Sequence, residues 1–150
     1  MSKIAAFALA TSLLASQPVI AADEVKQRMF NNMAHEAIQC VSYFMIMSQA
    51  LKNSPKLEKS AETAIGFENA ANKLLGWAIG LSKEAGLKLE TVQSRLSMEM
   101  KGQMARIDKN TSNISILMAD YNEVCVEVAS DPKKRVKHWL NKEFQPARPK

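Results

Sequence analysis

Two cysteines, Cys40 and Cys125, constrain this chain more tightly than any other pair of residues. If they are bridged, their Cα atoms must lie within about 7 Å, so everything between them has to fold back on itself. The case for a bridge starts at the N-terminus. The opening residues, "MSKIAAFALATSLLASQPVIAADE", have the form of a secretory leader. Lys3 supplies the positive start, residues 4–15 the apolar run, and Pro18 a break before small residues that allow cleavage after Ala21 or Ala22. The apolar run is shorter than the ~20 residues a spanning helix needs. Residues 1–22 are therefore expected to be a cleaved signal peptide. The mature chain is expected to be periplasmic or secreted, with no transmembrane helix, and no cysteine near the cut site offers a lipid anchor. In an oxidising compartment an even cysteine count favours one disulfide. The alternative is two buried thiols serving as small apolar side chains.

Apolar residues recur at helical spacing through the rest of the chain, without the alternation of a strand. The first segment places Met33, Ala37, Cys40, Phe44, Met47 and Leu51 on one stripe, widened by Ile38, Val41 and Met45. Between Glu36 and Lys52 it carries no charge, yet this run is too short to cross a bilayer comfortably. It reads as a core helix with Gln39, Ser42 and Gln49 on its remaining face. A second helix follows "NSPK", carrying Leu57, Ala61, Ala64, Ala71, Leu75 and Ile79, and ends near Gly86. Gly76 and Gly80 have the spacing of a close-packing pair, or are simply tolerated near a helix end.

From Val92 one stripe runs through Leu96, Met100, Met104, Ile107, Thr111, Ile114, Met118, Tyr121, Cys125 and Val128. It is interrupted by "DKNTSNIS", residues that favour caps and turns over helix interiors. An unbroken helix would carry Cys125 roughly 30 Å beyond the level of Cys40, at 1.5 Å per residue. The bridge thus predicts a turn near residues 110–112. The expectation is an all-α, up-and-down bundle of four helices with a short fifth, near 23–52, 56–84, 88–109, 112–129 and 132–143. It forms a single domain over residues 23–145, with Tyr43, Phe44 and Tyr121 packed around the bridge and residues 146–150 as a disordered tail.

Charge is concentrated at the C-terminal end. The full chain has a net charge of +5, and loss of Lys3 with the leader leaves +4. From Asp131 onward seven basic residues face two acidic ones, so the rest of the mature chain is close to neutral. This segment opens with Asp131 as an N-cap and Pro132 at the first helical position. Lys133, Lys134, Arg135, Lys137 and Trp139 are the candidate residues for binding a surface. The partner would be an unknown protein or an anionic envelope surface, and export disfavours nucleic acid. The alternative is a helix whose Trp139 sits in the core while its basic face is merely solvated.

Sites for chemistry are sparse. His35 and His138 are far apart, and the chain lacks zinc-ligand spacing, a glycine-rich phosphate loop, a GxSxG elbow, a haem-attachment motif and a CxxC pair. No catalytic residue or cofactor is expected, and the protein is not expected to be an enzyme. Glu68, on the apolar stripe of the second helix, reads as a residue at the stripe's edge or in an ion pair. Eight methionines outside the initiator raise a copper(I) reading, since thioethers suit soft metals. Met45/Met47 and Met98/Met100 are two residues apart and diverge on a helix. Met29 and Met33 share a face, as do Met100 and Met104, and Met29, Met33 and nearby His35 are weak candidates. Function is thus expected to be that of an exported binding or adaptor protein. The alternative is a small-ligand or copper(I) carrier using its methionine-rich helices.

Overall fold

A computed structural model describes residues 22–53 and 59–144; residues 1–21 of the expected leader and the expected C-terminal tail lie outside these. The described residues are all-helical: α1 (Ala22–Lys52), α2 (Ser60–Glu84), α3 (Leu89–Arg106), α4 (Ser115–Ser130) and the short α5 (Pro132–Phe144). This is the expected bundle of four helices with a short fifth. The expected start of the second helix at residue 56 falls outside the described residues, and α2 begins at Ser60, after Lys59 in a left-handed conformation. No described helix is long and apolar enough to cross a membrane.

α1 is the central element and touches every other helix. This explains its long uncharged run, because a helix surrounded by protein has no face left for charge. Ser42, expected on an outer face, is fully buried, as is Ser48. Met45, placed by its spacing on the inner stripe, is 41% exposed, and Tyr43 and Ile46 are buried in its stead. Against α1, α2 presents Ser60, Ala64, Phe67, Ala71, Leu74, Ala78 and Leu81, alternating steps of four and three as in a coiled-coil seam. Alanine at every seventh position of this seam lets the two backbones approach. The seam lies about one residue from the predicted stripe, so Ala61 and Ile79 are exposed while Leu74 and Leu81 are buried. The glycines do not mark a close approach: a Cβ at Gly76 or Gly80 would meet nothing within 4 Å. Glu68 is half exposed and pairs with Lys52.

The turn between the third and fourth helices is where the bridge requires it. Asp108 and Lys109 both adopt left-handed conformations (φ 54° and 57°), and the Lys109 N–H donates to the Met104 carbonyl at 2.8 Å. Asn110 caps a 3-10 turn over Thr111–Asn113, accepting a hydrogen bond from the Ser112 N–H at 3.0 Å. Beyond the turn the predicted stripe resumes, with Tyr121, Cys125 and Val128 facing the core, and a single position departs from it. Leu117 is fully buried in α4 and Met118 is 43% exposed, the reverse of the uninterrupted stripe.

Cys40 and Cys125 are joined in a disulfide with a Cα–Cα distance of 5.1 Å. Tyr43, Phe44, Leu117, Ile107 and Val128 share its buried cluster, with Tyr121 packed alongside. Tyr43 stacks 5.3 Å from Phe44 and 6.1 Å from Tyr121, centroid to centroid, and its hydroxyl donates to Asn122 Oδ1 at 3.0 Å. The bridge therefore ties the central helix to α4 beneath an aromatic cap, and the Tyr43 hydroxyl keeps a hydrogen-bond partner there. α3 joins through Val92 and the buried Gln103, whose Nε2 donates to the Gln39 carbonyl at 3.0 Å, and Ile107, just past its end, enters the main core.

Candidate functional site: the clamped basic helix

α5 forms where its sequence starts it. The Asp131 side chain accepts from the Lys134 N–H at 3.0 Å, and Pro132, which has no N–H to leave unpaired, occupies the first helical position. Two faces result. The inner one places Val136 and Trp139 against a small cluster of Met29, Met33, Ala34 and Leu81, with Phe30 and Trp77 beside it. The outer one presents Lys133, Lys134, Lys137 and His138, all exposed.

The inner face is held at one polar point. Glu36 lies on α1 among buried neighbours and is only 9% exposed. Its carboxylate accepts from Arg135 Nε at 2.6 Å, from Arg135 Nη2, and from Trp139 Nε1 at 3.0 Å. A guanidinium matches both oxygens of a carboxylate in one plane, so the pair fixes orientation as well as distance. The Glu36 carboxylate holds the Arg135 pKa above its usual value, and burial works against this more weakly. Glu127 of α4 stands 3.7 Å from Arg135 Nη1 and 2.6 Å from Lys134 Nζ. The bond from Lys134 lowers the Glu127 pKa and, in return, raises that of Lys134. At the far end of α5, Glu143 accepts from Arg28 Nε at 2.8 Å and from Asn32 Nδ2 at 2.9 Å. Lys142 Nζ lies 4.3 Å from the centre of the Trp139 ring.

The five surface-binding candidates are therefore divided. Arg135 and Trp139 face the bundle and hold α5 in place, Lys134 is exposed but shares a carboxylate, and Lys133 and Lys137 project outward. Neither of these last two pairs with a carboxylate among the described residues. Glu36 was not singled out in the sequence. Its one signal there is that it is the last charge before the long uncharged run, where a lone carboxylate demands a cationic partner.

Of the weak metal candidates, Met29 and Met33 lie together but His35 does not join them. Met29 and Met33 are buried at 5% and 1% in the cluster beneath Trp139. The His35 side chain is half exposed and faces α3, its Nε2 lying 3.8 Å from Glu99 Oε1. Elsewhere, Phe44, Phe67, Ala70, Val126 and Ala129 line an open apolar groove of about 430 Å³ between α2 and α4. A methionine-lined hollow of about 320 Å³ lies between α1 and α3. The chain matches no protein-family model, no curated protein and no solved structure.

Proposed function

We propose that the protein is an exported, non-enzymatic binding or adaptor module that meets an anionic envelope surface or an acidic partner protein through the outer face of α5. The observation that carries this reading is the clamp on Glu36. It spends Arg135 and Trp139 on the bundle and thereby fixes Lys133, Lys134, Lys137 and His138 in one outward array. A preorganised cationic face recognises negative charge without the entropy cost of ordering a flexible tail. With its ring docked and its N–H engaged, Trp139 does not serve as an anchor in lipid, so the contact is electrostatic.

Such a contact weakens with salt, because the Debye length falls from about 10 Å at 0.1 M to about 3 Å at 1 M. The test is co-sedimentation of the mature protein with vesicles containing phosphatidylglycerol, and with neutral vesicles as reference. Binding to the anionic vesicles is expected at low salt, lost at high salt and lost when Lys133 and Lys137 are both changed to Gln. In a Trp77→Phe background, the Trp139 emission should stay unchanged on binding. If the anionic vesicles retain no protein at low salt, the envelope-surface version is wrong. An acidic protein captured by the wild type and released by the double Gln variant would then carry the adaptor version. Binding that the double variant leaves intact would overturn the role of α5 altogether.

A further inference from the structure

The fold brings Met45 to a pair of methionines far from it in the sequence. Met100 and Met104 lie one turn apart on the same face of α3, as residues four apart must. Met45 faces them from α1, and the three line a single hollow of about 320 Å³ completed by Ile46, Gln49 and Thr111. Met45 is 41% exposed and the other two are half-buried, so an ion could reach the group from solvent. Other methionines lack this placement: Met29, Met33 and Met47 are buried in the core, while Met98 and Met118 are exposed apart from the hollow.

We propose that Met45, Met100 and Met104 form a three-thioether site for a soft monovalent cation of the copper(I) or silver(I) class. Thioether sulfur is a neutral, polarisable donor that suits d10 monovalent ions and binds hard divalent ions poorly. Both cysteines are joined in the disulfide, so no thiol of this protein competes for a soft ion. The surroundings sharpen the choice of charge. Lys101 and Lys109 line an adjoining hollow on the other side of Met100 and Met104. No carboxylate among the described residues lines the site itself, and Glu68, which lines the neighbouring hollow beside Met45, is already paired with Lys52. A divalent ion would therefore meet twice the repulsion from Lys101 and Lys109 that a monovalent ion meets. Flexible methionine side chains can also close around an ion without moving the helices. This site is independent of the α5 surface, and either can fail without the other.

Silver(I), added as its nitrate in chloride-free buffer, is the probe, because it binds thioethers without redox chemistry. The readout is the set of methionine methyl signals of the mature, disulfide-bonded protein labelled with 13C at those methyls, alongside native mass spectrometry. One silver ion per chain is expected, with the Met45, Met100 and Met104 methyl signals shifting together and Met98 and Met118 unmoved. Each single change of the three to Leu should weaken binding by at least about tenfold, no less than is typical for loss of a group that merely supports a ligand. Met98→Leu should change nothing. Leucine conserves side-chain volume closely enough that the single variants should keep the fold, which circular dichroism checks. The proposal is overturned by absence of stoichiometric uptake, by equal shifts at Met98 and Met118, or by single Leu variants that bind silver as the wild type does.

Discussion

Changing Glu36 to Gln tests the clamp at its centre. The substitution keeps the shape of the side chain and one carbonyl acceptor, but removes the charge that faces Arg135. The two side chains are 12% and 15% exposed, so the pair belongs neither to the surface nor to a dry interior. An exposed pair contributes about 0–1 kcal/mol, whereas breaking a buried one by removing a partner costs about 3–5 kcal/mol. Arg135 retains Glu127 at 3.7 Å as a weaker neighbour, which limits the loss. The expected cost is about 2–3 kcal/mol, or roughly 10 °C in Tm for a domain of this size. Urea unfolding followed by circular dichroism measures the stability. Trp139 emission in a Trp77→Phe background reports separately whether α5 has left the bundle. Replacing Glu36 and Arg135 together by Leu should cost less than Glu36→Leu alone plus Arg135→Leu alone, since no charge is left stranded, with a coupling of at least about 1 kcal/mol. A loss below about 0.5 kcal/mol for Glu36→Gln, with Trp139 emission unchanged, would place the pair among solvated surface contacts and refute the clamp.

Two other expectations concern the disulfide and its aromatic cap. The bridge closes a separation of 85 residues, so in the chain-entropy view reduction or Cys40→Ser with Cys125→Ser should cost about 4–5 kcal/mol, read from urea unfolding with and without reductant. Burial raises the Tyr43 phenol above its ordinary value of 10.0. The stability this represents is intact below the unfolded-state value and drains as pH rises through the folded one, so unfolding should accompany tyrosine ionisation at alkaline pH, and Tyr43→Phe should make the absorbance-monitored transition shallower.

Much of the architecture was legible in the sequence because helices in a bundle repeat their apolar positions over many turns. The disulfide supplied what periodicity lacks, a long-range distance, and with it the turn between α3 and α4. What did not carry over was the inward face at particular positions. Beyond the two left-handed residues and the 3-10 turn between α3 and α4, the stripe holds at Tyr121, Cys125 and Val128 but assigns Met118 to the core where Leu117 belongs. In α1, the centre of the bundle, nearly every face is buried and periodicity has little contrast to offer. Ser42 and Tyr43 are both enclosed although they point in different directions.

A docked Trp139 beneath a solvated basic face is one of the two readings the sequence allows. That Arg135 belongs to the docked face was not legible, and the reason is physical. Arg135 stands in a run of like charges, "KKRVK", and side-chain type alone does not separate it from its neighbours. The separation comes from Glu36, 99 residues away, which sits where α1 is otherwise apolar. A carboxylate there is costly unless a cation reaches it. Of the cations on α5, Arg135 lies on the edge of the helix that also carries Val136 and Trp139, whereas Lys133 and Lys137 lie on the other. The planar guanidinium can satisfy both carboxylate oxygens and still leave room for the indole N–H, which a lysine ammonium would not do in the same geometry. Arginine at 135 is thus explained by the buried carboxylate, and lysine at 133 and 137 by the absence of one. Any partner that α5 meets encounters the lysines, because the arginine is already engaged.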